Sequence, residues 1–140
     1  MNTENIDEFF ECFTQYNGTI PYASPEILEG DLRLLTEKAD IYSFGILIWE
    51  VFTERLPFEN RDSDIDLSND ILQGIVHPLY EIDINGVVKK FEYLLGTPEE
   101  IDVLVNKCLS KDPKDRPTIS EVLLEIKNIQ KKHGFNNSTR

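Results

Sequence analysis

The chain has 140 residues, enough for one domain with a substantial core and too few for two ordinary domains. Acidic residues outnumber basic ones by 26 to 14, and the net charge of -12 opposes binding to nucleic acid or to an anionic membrane. Two cysteines and the lack of a basic-then-apolar export signal lead us to expect a reducing, cytoplasmic or otherwise intracellular setting.

The N-terminal 17 residues differ in composition from the rest of the chain. They combine acidic and aromatic side chains, namely Glu4, Asp7, Glu8 and Glu11 with Phe9, Phe10 and Phe13. This composition is typical of either a short docked amphipathic helix or a loose tail, so residues 1–17 are treated as a separate segment. Two prolines and a glycine then exclude a long regular element before Pro25, which suits the first position of a short helix because its missing amide would be unpaired there anyway.

The most apolar stretch runs from residue 40 to residue 52, and its large apolar side chains cover every side of a helix. Such a helix must be wrapped on all sides, yet a run of about 12 residues is too short to cross a bilayer, which needs about 20. Thr36 is a candidate cap for its start, and Pro57 disfavours helical geometry at the residue before it. Gly45 in its middle predicts a close approach by another backbone.

Residues 59–67 are polar and predict a solvated loop, followed by a short helix over residues 68–74 that ends at a glycine. Residues 80–91 alternate apolar and polar side chains around the pair Asn85-Gly86, the strongest short signal for a β-hairpin. An irregular loop with one turn accounts for the same residues about equally well.

Two stretches near the C-terminus have the sequence of a capping box, at Thr97–Glu100, with proline at its first helical position, and at Thr118–Glu121. Each precedes apolar residues at helical spacing, which are Ile101, Leu104, Val105, Cys108 and Leu109 in the first helix and Ile119, Val122, Leu123, Ile126 and Ile129 in the second. Cys108 is expected to be an inert packed thiol, because no histidine or second cysteine lies near it in sequence. Gly134 closes the last helix, and residues 136–140 are predicted to form a disordered tail.

The residues that usually carry chemistry are sparse. The chain has no glycine-rich phosphate loop and no cysteine or histidine pair at metal-ligand spacing, and its two histidines, His77 and His133, stand alone. Composition and periodicity therefore predict a mainly α domain of four to five helices, with no catalytic, cofactor-binding or metal site.

Four motifs nevertheless occur in a recognisable order. Residues 18–26 (Gly-Thr-Ile-Pro-Tyr-Ala-Ser-Pro-Glu) resemble the end of a protein-kinase activation segment, and residues 40–45 with Trp49-Glu50 resemble the kinase F helix. Pro57-Phe58 resembles the turn after that helix, and residues 112–118 (Asp-Pro-Lys-Asp-Arg-Pro-Thr) resemble the turn between the H and I helices. Residues 18–135 thus resemble part of a protein-kinase large lobe, and the sequence of the F-helix region is closest to the tyrosine-kinase-like group. Residues 80–91 resemble an insertion between the G and H helices.

The resemblance implies roles for particular residues. Glu26 and Arg116 should form a buried ion pair, and Asp40 and Trp49 belong to the structural motif of the F helix. In the family Asp40 receives hydrogen bonds from the catalytic loop and Thr19 faces the catalytic aspartate. The loop on the substrate side would contain Gly18, Thr19, Tyr22 and Pro25.

Other family motifs are absent from these 140 residues: Gly-x-Gly-x-x-Gly, Val-Ala-Ile-Lys, His-Arg-Asp and Asp-Phe-Gly. The intact family uses ATP and Mg²⁺, so the resemblance implies a truncated, non-catalytic kinase-like fragment or pseudokinase that contacts other proteins through surfaces left exposed. Reaching the activation segment 17 residues after Met1 favours truncation. One alternative is that the chain is part of an active kinase; another is an unrelated helical interaction module.

Overall fold

The computed structural model of the chain describes residues 20–31, 33, 36–59 and 64–134. Within them the fold is mainly α, as expected, with five α-helices: α1 (Pro25–Glu29), α2 (Lys38–Thr53), α3 (Asp64–Leu72), α4 (Glu99–Cys108) and α5 (Ile119–His133). A two-stranded hairpin, β1 (Tyr80–Ile82) and β2 (Val88–Lys90), lies between α3 and α4, and short 3-10 helices occupy Ile20–Tyr22 and Pro113–Asp115. The segments predicted as tails, residues 1–17 and 136–140, lie outside the described residues.

The core is assembled on α2. Its buried residues, which include Ile41, Ile46 and Trp49, pack in one cluster with the apolar face of α4 and with Val122 and Ile129 of α5. The helix ends near the predicted point, because Glu54 adopts a left-handed conformation with φ 55° and its amide donates to the carbonyl of Glu50. These contacts join α2 to α4 and α5 in the main core.

One flank of α2 differs from the expectation that the helix is wrapped on all sides. Leu47 is 45% exposed and Val51, one turn later, is 65% exposed. Asp40, seven residues before Leu47 on the same face, is exposed as well. An all-round apolar pattern shows that a helix can be buried everywhere, whereas actual burial requires a neighbour on each side. We call this surface, formed by Asp40, Leu47 and Val51, the exposed flank.

Gly45 allows α2 and α4 to approach closely. A Cβ built on Gly45 would lie 2.6 Å from the Cβ of Cys108 and 3.1 Å from a methyl group of Leu109. The predicted close approach is therefore observed, although the base of a side chain, rather than backbone, is the nearest neighbour. Cys108 is fully buried and free, and burial raises the pKa of its thiol to about 11, in keeping with an inert packing role.

The loop predicted for residues 59–67 is wrong in its second half, because α3 begins at Asp64. Leu67 is only 2% exposed and packs with Ile20, Ala23 and Leu28 in a second apolar cluster. The aspartates that precede this leucine look polar in sequence, but burial of the leucine under α1 favours a helix there. Tertiary contact has thus extended the helix by one turn towards the N-terminus.

The hairpin prediction is confirmed, and the irregular-loop alternative is wrong. Tyr80 pairs with Lys90, Glu81 with Lys89 and Ile82 with Val88 in antiparallel register. At the turn, the Asp83 carboxylate accepts hydrogen bonds from the amides of Asn85 and Val87, and Gly86 has φ 79°. The Asn-Gly pair therefore marks the tight turn, as this dipeptide does in other hairpins.

The two predicted capping boxes have different outcomes. Thr118 accepts a hydrogen bond from the amide of Glu121 at 3.2 Å and caps α5, and Gly134 ends that helix with φ 70°. At α4, Pro98 precedes the first helical residue and no side chain caps the helix, so the prediction for Thr97 is wrong. The apolar face of α4 is buried as expected, whereas Ile119 and Leu123 of α5 are about half exposed.

Gly45→Ala tests the close packing of α2 on α4. We expect a loss of about 1–3 kcal/mol in the free energy of unfolding, because overpacking against Cys108 outweighs the helix propensity gained, which is at most about 1 kcal/mol. Urea denaturation measures the change. The matched control is Ser120→Ala on the exposed side of α5, which should change stability little; equal stability of Gly45→Ala and the parent chain would contradict the packing model.

His77 should make the free energy of unfolding depend on pH. Its Nδ1 accepts a hydrogen bond from the amide of Leu79 at 3.1 Å, its ring lies against Tyr80, and burial lowers its pKa from 6.5. The folded state therefore favours neutral imidazole, so the free energy of unfolding should fall as pH falls below about 6.5, until the folded-state pKa is passed.

Urea denaturation at several pH values between about 7.5 and 5.5 measures this slope. His77→Asn should flatten it, whereas His133→Gln, which removes the other histidine, should leave it in place. A slope unchanged by His77→Asn would contradict the assignment to His77.

Candidate functional site

The main polar centre of the described residues is the side chain of Arg116, which is 0% exposed. Its two terminal nitrogens donate to the two carboxylate oxygens of Glu26 at 2.6 and 2.8 Å, so the ion pair is bidentate. The same nitrogens donate to the carbonyls of Lys38 at 2.9 Å and Lys111 at 3.2 Å, and Nε donates to the carbonyl of Ser110 at 2.8 Å. An arginine has five N–H donors, and all five are bonded here.

This arrangement joins parts of the chain that are far apart in sequence. Glu26 belongs to α1, Lys38 begins α2, and Ser110 follows α4, so one guanidinium connects three segments. Lys38 adds a reciprocal bond, because its ammonium group donates to the carbonyl of Arg116. The guanidinium also lies 5.0 Å from the ring centroid of Tyr42, and burial raises the pKa of the Tyr42 hydroxyl to about 12.

A second polar contact fixes the short 3-10 helix before α1. The hydroxyl of Tyr22 donates to the carboxylate of Glu50, and the hydroxyl of Ser43 donates to the carbonyl of Tyr22 at 2.7 Å. Burial, together with the bond to Glu50, raises the pKa of Tyr22 to about 12, so its hydroxyl stays protonated and remains a donor at neutral pH. Residues 20–22 are thereby held along α2.

Between these two anchors lies Ser24, directly before Pro25, the first residue of α1. Ser24 is fully buried, and among the described residues its hydroxyl has no hydrogen-bond partner. Burial of a hydroxyl without a partner costs free energy, so Ser24 adds no stabilising hydrogen bond to this site.

The other residues suggested by sequence are placed separately. Trp49 is 1% exposed and meets the ring of Phe91 edge-on at 5.6 Å, and Arg55 lies over the same Phe91 ring, 5.2 Å from its centroid. Asp40 lies at the exposed flank, and within the described part of the chain no group bonds to its carboxylate. Gly18 and Thr19 lie outside the described residues. The structure thus brings Glu26, Pro25 and Arg116 together and leaves Asp40 apart.

Several residues of this centre were not found by sequence reasoning. Lys38, Ser110 and Lys111 contribute main-chain carbonyls, which leave no trace in side-chain identity. Ser43 and Glu50 carried a detectable signal, because they are seven residues apart on α2 and therefore share a face with each other. An interruption of an otherwise apolar helix by two polar residues on one face marks a polar neighbour, here Tyr22.

The chemistry available to the described residues is structural. They contain no group of three or more histidine, cysteine, aspartate or glutamate side chains arranged to hold a metal ion. Their most deeply buried charges, Glu26 and Arg116, are paired with each other through two hydrogen bonds and are therefore not free to bind a charged ligand. Nor does any of their helices have the length and apolar character needed to span a membrane.

Comparison with known proteins agrees with this architecture. A family model described as the protein kinase domain matches residues 2–125, which is most of the chain. The chain therefore belongs to the protein kinase family, and its described residues form part of a kinase domain.

The individual relatives are kinases of several types. The chain is 35% identical over 115 residues to a protein kinase and PP2C-like domain-containing protein of Arabidopsis thaliana, covering 80% of this chain and 17% of the relative. It is 30% identical over 112 residues to the dual specificity protein kinase shkA of Dictyostelium discoideum, covering 80% and 18%. It is 32% identical over 110 residues to human mitogen-activated protein kinase kinase kinase 7, covering 79% and 16%. The chain thus spans less than a fifth of the length of these relatives.

Removing the guanidinium should strongly destabilise the fold. Arg116→Ala leaves the Glu26 carboxylate buried without its partner, and breaking such a pair typically costs about 3–5 kcal/mol. Arg116→Lys should also be costly, because one ammonium group cannot replace a bidentate fork and three carbonyl contacts. Thermal and urea denaturation measure both effects.

Arg33→Ala is the control for loss of an arginine ion pair. It removes the exposed pair with Asp31 and should change stability little, because water and salt screen exposed ion pairs. Similar melting temperatures for Arg116→Ala and Arg33→Ala would rule out the central role of Arg116.

Ser24→Ala should change the free energy of unfolding in the opposite direction to Arg116→Ala. Removing a buried hydroxyl that lacks a partner relieves a desolvation penalty of about 1–3 kcal/mol, so we expect unchanged or increased stability. Ser43→Ala, which removes the bond to the Tyr22 carbonyl, should instead destabilise by about 1 kcal/mol. Urea midpoints for the two variants make the comparison, and a destabilised Ser24→Ala would show that the hydroxyl has a partner.

Proposed function

We propose that this chain is the substrate-side scaffold of a kinase large lobe and that, as a 140-residue polypeptide, it neither binds nucleotide nor transfers phosphate. The observation that carries this proposal is the Arg116 centre. It holds α1, and hence the end of the segment that resembles the activation segment, against α2 and the turn after α4. This scaffold forms without any of the catalytic motifs.

The chemistry of the family supports the second half of the proposal. Phosphoryl transfer depends on positioning and on charge stabilisation by a phosphate-covering loop, a lysine, metal-binding carboxylates and a catalytic aspartate. None of the sequence motifs that supply these groups occurs in the 140 residues. Asp40, whose counterparts in the family bond to the catalytic loop, has an exposed carboxylate here. The remaining role is a structural one exerted through protein contacts.

Two finer features belong to the same proposal. Membership of the tyrosine-kinase-like group agrees with the sequence of α2 and with relatives named as dual specificity kinases, and pseudokinase status rests on the missing motifs alone. An intracellular setting agrees with the free, buried thiol of Cys108. In that setting the chain would take part in signalling by binding another protein.

A second candidate function is that the chain is part of an active, ATP-dependent protein kinase. The exposed flank of α2 favours it, since Leu47 and Val51 are apolar and lack a covering neighbour among the described residues. The small share of each relative's length that the chain covers is also in keeping with it.

Titration with a fluorescent ATP analogue and Mg²⁺ tests the first proposal on the 140-residue chain. We expect no saturable binding, while an active kinase assayed in parallel should saturate in the micromolar range. Saturable binding that unlabelled ATP displaces would refute the proposal. An assay of phosphate transfer to a generic acceptor protein should likewise give no signal above a no-protein blank.

The two candidates differ in the size of the polypeptide made in the source cell. An antibody raised against α5 should detect a band near 16.2 kDa on a denaturing gel if the chain works alone. Detection only of a much larger band would favour the active-kinase candidate.

A further inference from the structure

A cleft of about 250 Å³ lies on the side of α2 opposite the exposed flank. At 3.6 residues per turn, the three residues of the exposed flank fall within about 40° of one another around the helix, and Tyr42, which lines the cleft, is about 180° away. The other walls come from α1, from the end of α3 with the loop that follows it, and from the turn after α4. The lining of the cleft therefore does not depend on what covers the exposed flank.

The charge of this lining differs from that of the whole chain. Acidic residues outnumber basic ones by 26 to 14 in the sequence, yet the described residues that line the cleft include Lys111 and His77 and no aspartate or glutamate. Lys111 is exposed, and within the described part of the chain no carboxylate pairs with its ammonium group. The cleft is thus a locally positive site that favours an anion.

Tyr42 provides a hydrogen-bond donor at the cleft. The residue is only 4% exposed, and its hydroxyl makes no hydrogen bond with any described residue. Unlike the hydroxyl of Ser24, that of Tyr42 is not completely enclosed, so a group bound in the cleft can reach it. Burial raises the pKa of Tyr42 to about 12, and the hydroxyl therefore keeps its proton at neutral pH.

His77 provides a second donor. Its Nδ1 accepts a hydrogen bond from the amide of Leu79 at 3.1 Å, so in the neutral ring the proton is on Nε2. No described residue bonds to that second nitrogen. The Nε2–H group is therefore available to a ligand.

The rest of the lining is mainly apolar, and its apolar members are Pro25, Ile71, Leu72, Val76, Pro78 and Leu109. Ligand sites typically have such a composition, in which a few polar groups fix the orientation of a largely apolar ligand. Typical sites for drug-sized ligands have volumes of about 300–1,000 Å³, so a cleft of this size suits a smaller molecule.

We propose that the cleft binds a small carboxylic acid as its anion, with the carboxylate accepting hydrogen bonds from Tyr42 and His77 beside the ammonium group of Lys111, and with a compact apolar body against the apolar walls. A carboxylate has two oxygens that only accept hydrogen bonds, which matches a set of donors and one full positive charge. A phosphate would carry more charge than one ammonium group balances and would leave the apolar walls uncovered. This proposal is independent of both candidate functions, neither of which uses the cleft.

Titration of the 140-residue chain with 4-phenylbutyrate, followed through the NMR signals of the backbone amides, tests the proposal. We expect saturable shifts at Gln73 and Lys111 with a Kd on the order of 1 mM, since the ligand is small and the net charge of -12 opposes an anion. The matched control is 4-phenylbutyramide, which has the same body without the charge and should bind about tenfold more weakly. Absence of saturation, or equal binding of the amide, would overturn the proposal.

Variants test the assigned contacts. Tyr42→Phe removes only a hydroxyl that has no partner in the described structure, so it should fold normally and bind 4-phenylbutyrate about tenfold more weakly. Lys111→Met should weaken binding by up to about fivefold, whereas Lys127→Met, which removes an exposed charge from α5 outside the cleft, should not. Unchanged affinity of Tyr42→Phe, or equal losses in the two methionine variants, would contradict these contacts.

A short peptide that ends in leucine with a free carboxylate tests the other source of the same chemistry. Because the cleft holds only a small molecule, we expect the peptide to bind no more tightly than 4-phenylbutyrate. Tighter binding of the peptide, abolished by amidation of its C-terminus, would assign the cleft to a chain terminus and overturn the assignment to a small acid.

Discussion

The described structure depends on one buried guanidinium. Removing a charge from water is expensive, and Arg116 tolerates complete burial because each of its five N–H groups has an acceptor and its charge has a bidentate partner in Glu26. The three main-chain carbonyls among these acceptors come from the start of α2 and from the two residues that follow Leu109. A buried ion pair of this kind is weak evidence for high stability, but it specifies geometry, since a shift of any one segment leaves a donor or a charge unsatisfied.

Much of the local structure was predictable because it is encoded locally. The Asn85-Gly86 turn, the Thr118 cap and the left-handed Gly134 each depend on residues within one turn of the chain. The close approach at Gly45 was also predictable in kind, but its partner, Cys108, was not, because nothing in sequence shows which helix passes there. The start of α3 was missed for the same reason: burial of Leu67 under α1 is a tertiary contact.

At the candidate site, too, some contacts could be predicted from the sequence and others could not. The order of the motifs predicted Glu26 and Arg116 as partners. The carbonyls of Lys38, Ser110 and Lys111 could not be predicted as acceptors, because every residue has a main-chain carbonyl. The apolar pattern of α2 predicted burial on every side, and this was wrong at the exposed flank, because the hydrophobicity of a side chain shows only that the side chain can be buried. Whether Leu47 and Val51 are covered is decided by a neighbour, and a sequence pattern on one helix contains no information about that neighbour.

The buried centre and the exposed flank bear on function together. One face of α2 packs against other described elements, and we call it the structural face. In this chain the structural face is satisfied by its own residues, through Arg116, Tyr22 and α4. The other face is left apolar and acidic, with Asp40 at one end. Within the described residues the contacts of the structural face do not involve Leu47 or Val51, so the packing of one face of α2 does not depend on what covers the other.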